Sequence, residues 1–328
     1  VIGAVLRRAA AGVPILLAVA VLVFVLADAA PGSPIDSLLG DRPIPPEVRE
    51  RLEEAWDTDI PVALRCGRWI GNVLLHGDLG WSSSRGMPVS RVLGAALPAT
   101  LLLGAAALLA HLVVGLSAGC ASARRPGGAL DRVIGAGTLV LYAAPTFWLG
   151  VMAILLFSVT FPVFPPSSSR SVGSEVWSVP ARVLDQAWHV SLPALVLGVG
   201  SAAGLARHVR AAMLRASSEP FCRAARARGA SSRRVLLVHA FREAVPATIA
   251  LTGLSLPFLV SGSLVVEVVF GWPGMGRVAY EAVRAEDLPL VAAATLLSAA
   301  AVVTANLLAD VGLLATDPRA RDPFGSGA

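Results

Sequence analysis

The 328-residue chain is 55% apolar and only 15% charged, with a mean hydropathy of +0.70, where an ordinary soluble domain is about 25% charged. Its net charge is +5, and every basic residue is an arginine. The lack of lysine excludes a P-loop lysine on a nucleotide phosphate and any lysine Schiff base, so if ATP drives this chain, another subunit binds it.

Six apolar segments are long enough to cross a bilayer core, which takes about 20 helical residues. They are about Ala9–Ala27, Ala99–Ala123, Val133–Val159, Val190–Ala206, Ala247–Val269 and Leu288–Leu314. The first, with Arg7-Arg8 before it and Ala27-Asp28-Ala29 after it, also has the outline of a secretory signal. Its apolar run of about 19 residues exceeds the 7–15 of a signal core, so it is read as an uncleaved span. The fourth is the shortest and is expected to continue as helix past Arg207 and Arg210.

Arginine placement orients the spans by the positive-inside rule. Arg7, Arg8, Arg124, Arg125, Arg132, Arg319, Arg321 and the run from Arg207 to Arg242 fall in one set of loops. The opposite loops carry most of the acids, including Asp36, Asp41, Glu47, Glu50, Glu53, Glu54, Asp57 and Asp59. Both termini are therefore expected inside, which requires an even number of spans and agrees with six. Cys66, Cys120 and Cys222 then lie outside, within and inside the membrane, so no internal disulfide and no cysteine metal site are expected.

Three pieces lie outside the spans: an outer segment at 28–97, with a proline-started acidic helix over Pro43–Asp59; a Pro/Ser-rich outer loop at 160–189; and an inner loop at 211–246. In the inner loop Ser218 can cap a short helix, Glu219 and Pro220 suit its first turn, and Gly229 suits the left-handed position past its end. A second helix can begin near Ser232 and run towards Pro246. In the short helix Ala224, Ala225 and Ala227 leave room for a close protein partner, and Arg223, Arg226 and Arg228 can pair with its acids or carbonyls. On composition alone, a loop whose arginines merely enforce topology is the simpler reading.

The run Arg223-Ala224-Ala225, followed after three residues by Gly229, resembles the coupling motif of importer-type ABC permeases, with Arg223 where the motif's glutamate would stand. The wider stretch to His239-Ala240-Phe241-Arg242-Glu243-Ala244 and Pro246 resembles the dipeptide/oligopeptide/nickel branch, where that glutamate is commonly absent. Also similar to that branch are Pro31-Gly32-Ser33-Pro34, Gly77-Asp78-Leu79-Gly80-Trp81-Ser82, Leu97-Pro98-Ala99-Thr100, Ala144-Pro145-Thr146-Phe147-Trp148-Leu149-Gly150, the run from Glu267 to Gly276, and the closing Asn306, Asp310 and Asp317–Arg321. Ser33 departs from the branch's usual acid.

The resemblance implies an all-α polytopic membrane protein with six transmembrane helices. Residues 1–97 would hold the first helix and an extracytoplasmic segment, 98–315 a type I ABC importer permease core with its coupling loop at about 217–246, and 316–328 a cytoplasmic tail. It further implies a bacterial inner-membrane subunit of an ATP-driven importer of di- or oligopeptides, or alternatively of nickel or another small solute. The implied partners are a second permease subunit, two cytoplasmic ATP-binding subunits and an extracytoplasmic solute-binding protein. ATPase coupling would fall on Arg223, Ala224, Ala225, Arg226, Ala227, Arg228 and Gly229. No catalytic constellation, cofactor or nucleic-acid site is expected.

Ionisable residues inside spans are functional suspects by default. For His111 the simpler reading is a neutral imidazole bonded to a neighbouring carbonyl. Glu267, near Phe270 and the Trp272-Pro273-Gly274 turn, is either part of an outer gate or an interfacial residue. Asn306 and Asp310 share a helix face; packing against other helices is their first reading, and lining a path their second. Gly150, Gly198, Gly204 and Gly253 read as helix-packing positions. A secondary transporter would instead show inverted repeats and mid-membrane charges, and a membrane enzyme would need clustered acid, base or metal residues on one side.

Overall fold

The computed structural model describes residues 2–28 and 61–316. The expected acidic helix at Pro43–Asp59, the Pro31–Pro34 motif and the Asp317–Arg321 tail lie outside the described residues. The helices are α1 (Ile2–Asp28), α2 (Val62–His76), α3 (Val89–Arg124), α4 (Ala129–Ala143), α5 (Thr146–Ile154), α6 (Val179–Ser217), α7 (Pro220–Ala227), α8 (Phe241–Val269), α9 (Met275–Arg284) and α10 (Leu288–Thr316). A two-stranded hairpin, β1 (Trp81–Ser82) and β2 (Met87–Pro88), precedes α3. The chain forms two compact units, one built on Leu101–Trp272 and the chain from Val302, the other on Arg7–Thr100 and Pro273–Ala301.

Among the described residues, four helical stretches are long and apolar enough to cross a membrane: Ala9–Leu26, Val89–Arg124, Val179–Ser217 and Leu288–Gly312. Two more candidates qualify only as bent pairs, Ala129–Ala143 with Thr146–Thr160 and Ser232–Pro246 with Thr248–Leu256. The expected continuous third span is thus divided, its two halves meeting at 110°. The cause is local. Pro145 disfavours the helical region for the residue before it, and Ala144 is extended at φ −77°, ψ 135°. Pro145 then starts α5 and accepts the Leu149 amide at 3.0 Å. The fourth expected span does continue past Arg207 and Arg210, because α6 has 39 residues, about 58 Å of helix against a core of about 30 Å.

In the first unit, glycines let backbones approach closely. A Cβ on Gly198 of α6 would fall 2.5 Å from the Ala107 carbonyl oxygen and 2.7 Å from the Ala110 Cβ of α3. On α3, Gly115 and Gly119 meet Leu205 and Val209 of α6 in the same way. Gly253 of α8 lies against Ala309 of α10, and Gly150 of α5 against Val269 and Phe270. Of the expected packing glycines, Gly204 departs, since a Cβ there would meet nothing within 4 Å. The helix spacing of contacts puts the α3 seam elsewhere on α6. Leu205, Val209, Met213 and Ala244 form the buried cluster alongside. Leu101, Leu109 and Val113 on α3 and Leu139 and Val140 on α4 are exposed, as lipid-facing positions require.

In the second unit the Gly77–Ser82 motif acquires a structural reading. Gly77, at φ 66°, ends α2. The Asp78 carboxylate accepts the Gly80 amide at 2.9 Å, and the Gly80 carbonyl accepts the Val89 amide at 3.0 Å, which closes the hairpin. Asp287, fully buried, holds the hairpin from the other side. It accepts the Ser82 hydroxyl at 2.5 Å, the Ser84 hydroxyl at 2.7 Å and the Ser84 amide at 3.0 Å, while its other oxygen caps α10 through the Leu290 amide. Val89, Leu93, Ala282, Leu290, Ala293 and Ala294 are the buried core of this unit.

Candidate coupling loop and polar residues of the spans

The loop between α6 and α8 is a short helix held from one side. Ser218 is not its cap: its hydroxyl donates to the Arg215 carbonyl at 2.7 Å, because the residue is still in the last turn of α6. Glu219 is the N-cap residue, extended at φ −69°, ψ 154°, and Pro220 takes the first helical position, where its missing N–H costs nothing. At the other end the Ala230 amide reaches the Ala225 carbonyl at 3.1 Å and the Gly229 amide reaches the Arg226 carbonyl at 2.9 Å. Gly229 sits at φ 86°. This pair of bonds is a Schellman motif, which needs a left-handed residue at that position. The Ser231 hydroxyl then accepts the Arg234 amide and starts the next helix, which runs through the π-helical turn Val235–Ala240 into α8.

One face of α7 is buried and the other is open. Cys222 and Ala225 pack against Ala216, Val235 and Ala240, with Ala230 and Leu236 at the edge. Burial pushes the Cys222 thiol above its usual range. Phe221, Arg223, Ala224, Arg226, Ala227, Arg228 and Gly229 are exposed. Of the seven residues expected to meet a partner, Ala225 is therefore the one that faces inward. Phe221 joins the open face, since it shares a helix stripe with Ala224 and Arg228; an exposed aromatic beside a Pro-started helix was the signal for it. The side chains of Arg223, Arg226 and Arg228 make no hydrogen bond or ion pair among the described residues.

Beside this loop, α3, α4 and α6 are tied by one carboxylate. Asp131, in the first turn of α4, accepts Nε and Nη2 of Arg210 at 2.7 Å each and the Gly127 amide at 2.8 Å. The Ser122 hydroxyl donates to it as well. A bidentate guanidinium–carboxylate pair fixes orientation as well as distance. The sequence reading passed over Asp131, although it is the lone acid among Arg124, Arg125 and Arg132.

The polar residues of the spans fall in three places. Glu267 and Phe270 come together at the end of α8, where Glu267, Phe270 and Trp272 are all fully buried. There the Glu267 carbonyl accepts the Trp272 amide at 2.8 Å, Gly271 turns left-handed at φ 59°, and the Phe270 carbonyl accepts the Ser168 amide at 3.0 Å. Asn306 and Asp310 lie on α10, Asn306 exposed and Asp310 half-buried. His111 is fully buried, and its Nδ1 faces the Ser201 hydroxyl at 2.8 Å rather than a carbonyl. The carbonyl comes one step later, since Ser201 donates to the Gly198 carbonyl at 2.9 Å.

Residues 111–322 match the family described as binding-protein-dependent transport system inner membrane component. The chain is similar to the oligopeptide transport system permease protein AppB of Bacillus subtilis, 36% identical over 96% of this chain and 98% of that one. It is 32% identical to the dipeptide transport system permease protein DppB of Escherichia coli K12, over 97% of this chain and 98% of that one. In fold it resembles a chain of the MetNI methionine ABC transporter in inward-facing conformations, with a TM-score of 0.52 and 21% identity over 69% of this chain and 96% of that one.

Proposed function

The chain belongs to the family of binding-protein-dependent transport system inner membrane components, and from that premise we propose that it forms half of the translocation path of an ATP-driven importer of di- or oligopeptides. It is a transport subunit, and ATP hydrolysis lies in separate partner subunits. In the proposed assembly a second, similar permease completes the path, two ATP-binding subunits dock from the cytoplasm, and an extracytoplasmic binding protein delivers the peptide. Six spans, counting each bent pair once, would put both termini on one side of the membrane, and the arginine-rich loops favour the cytoplasmic side. Peptide is the substrate class because the relatives at 36% and 32% identity carry oligopeptide and dipeptide names.

The observation that carries the mechanism is the two-faced helix α7. Its buried face, Cys222 and Ala225, fastens it to the end of α6 and the start of α8. Its open face presents Phe221, Ala224, Arg228 and the Gly229 turn. A force applied to the open face is thus carried into two long helices at once. ATP-bound closure of the partner subunits has to favour one orientation of the path over the other, since a ligand shifts an equilibrium only through differential affinity. Glu267 and Phe270, packed at the far end of α8, are positioned as an outer gate at the opposite end of the helix that α7 abuts. Asn306 and Asp310 are the candidates for the path wall.

The test is Gly229→Asp. A Cβ at Gly229 would meet nothing within 4 Å, and although φ 86° strains any side chain, aspartate tolerates the left-handed region better than most residues. The chain should fold and insert normally while ATP-dependent uptake is lost, because the change falls on the docking turn. Normal uptake at normal expression would remove the coupling assignment.

A further inference from the structure

A second cationic feature lies beside the coupling loop and is separate from its open face. A cleft of about 660 Å³ is lined by Ala121, Arg124, Arg125 and Leu130 on the α3–α4 side, and by Ser232, Arg233 and Leu236 at the start of the helix leading into α8. The three arginines are exposed, no acid lines the cleft, and none of their side chains has a partner among the described residues. The start of α4 faces the same space. Its N-cap, Gly128, offers no side-chain bond, and the Ala129 and Leu130 amides have no partner among the described residues. Convergent guanidinium groups and free helix-start amides are the two means by which proteins hold phosphate.

The wall of the cleft is not wholly polar. Leu130 is 56% exposed, and Val133, one turn along α4, is 69% exposed. An apolar surface continuous with an arginine cluster fits a ligand that has a phosphate at one end and hydrocarbon at the other. The position agrees with this, because the apolar run of α3 ends at Ala123 and that of α4 begins at Val133, which puts Arg124 and Arg125 at the edge of the bilayer. Free phosphate would use the arginines and leave Leu130 and Val133 unexplained.

We propose that this cleft binds the phosphate headgroup of an anionic phospholipid, with an acyl chain along the exposed face of α4. Basic pockets between spans on the cytoplasmic side are suited to such headgroups. The bound lipid would brace the α3–α4 turn against the base of the α8 helix, next to the coupling loop. The inference rests on the inward orientation given under the proposed function, but its test requires neither uptake nor a known topology.

The complex purified in detergent is titrated with phosphatidylglycerol, phosphatidylcholine and inorganic phosphate, and bound lipid is counted by native mass spectrometry. Phosphatidylglycerol should bind and phosphatidylcholine should not displace it. The triple variant Arg124→Gln/Arg125→Gln/Arg233→Gln should bind phosphatidylglycerol about a hundredfold more weakly, at about fivefold per arginine. Equal displacement of the lipid by inorganic phosphate would overturn the lipid assignment in favour of a free anion. Unchanged lipid binding with loss of the ATP-binding subunits would assign the arginines to that partner instead. A photo-crosslinkable phosphatidylglycerol on the unaltered chain covers the case of a variant that fails to insert. Label within 121–133 and 232–236 supports the proposal, and label confined elsewhere overturns it.

Discussion

Gly198 and Gly204 lie less than two turns apart on α6 and are indistinguishable in sequence, yet they sit in opposite surroundings. At Gly198 an added methyl would enter the backbone of α3, 2.5 Å from the Ala107 oxygen. Gly198→Ala should therefore destabilise the chain by about 1–3 kcal/mol through overpacking. At Gly204 the space is open, and alanine is the better helix former by about 1 kcal/mol. Thermal unfolding of the two variants in detergent should shift in opposite directions. Equal shifts would mean that the glycine seam does not bring α3 onto α6. The sequence carried the idea of a small-residue seam but not its side, because the helix face of each glycine depends on where α3 lies. Asp131 and Asp287 escaped the reading for the same reason. Each is one acid whose partners, Arg210 and Ser82, lie 79 and 205 residues away.

Elements that are locally punctuated were more legible. Pro220 and Gly229 bracket α7 as expected, since each residue type acts through its own backbone. The bend at Pro145 was open to the same logic; the apolar run hid it, because a run of that length reads as one span whether or not it bends. At this scale the tie between α4 and α6 is the one to test. Asp131→Ala leaves the Arg210 guanidinium and the Gly127 amide without their acceptor, and Arg210→Ala leaves a carboxylate facing Ser122. Each should lower the unfolding midpoint, and the double variant should lower it by less than the sum, as groups in one network do. Strict additivity would show that the pair is not formed in the membrane.

For the molecule as a whole, apolar runs and arginine placement predict a layout that single-cysteine labelling can read. In a chain with Cys66, Cys120 and Cys222 replaced by alanine, Val172→Cys on the exposed outer loop should react with a membrane-impermeant maleimide on intact cells. Arg228→Cys should react only after the membrane is opened. Labelling of both from one side would require an even number of spans between them and a different assignment of the spans.

The central claim is that peptide crosses through this chain at the expense of ATP bound elsewhere. Its most direct measurement is uptake of a labelled oligopeptide into proteoliposomes that hold the two permeases and the ATP-binding subunits, with binding protein and peptide on the outer side and ATP enclosed. Uptake should require enclosed ATP and binding protein, and ATP hydrolysis should rise when both peptide and binding protein are present. Peptide accumulation that continues without the ATP-binding subunits would contradict the account.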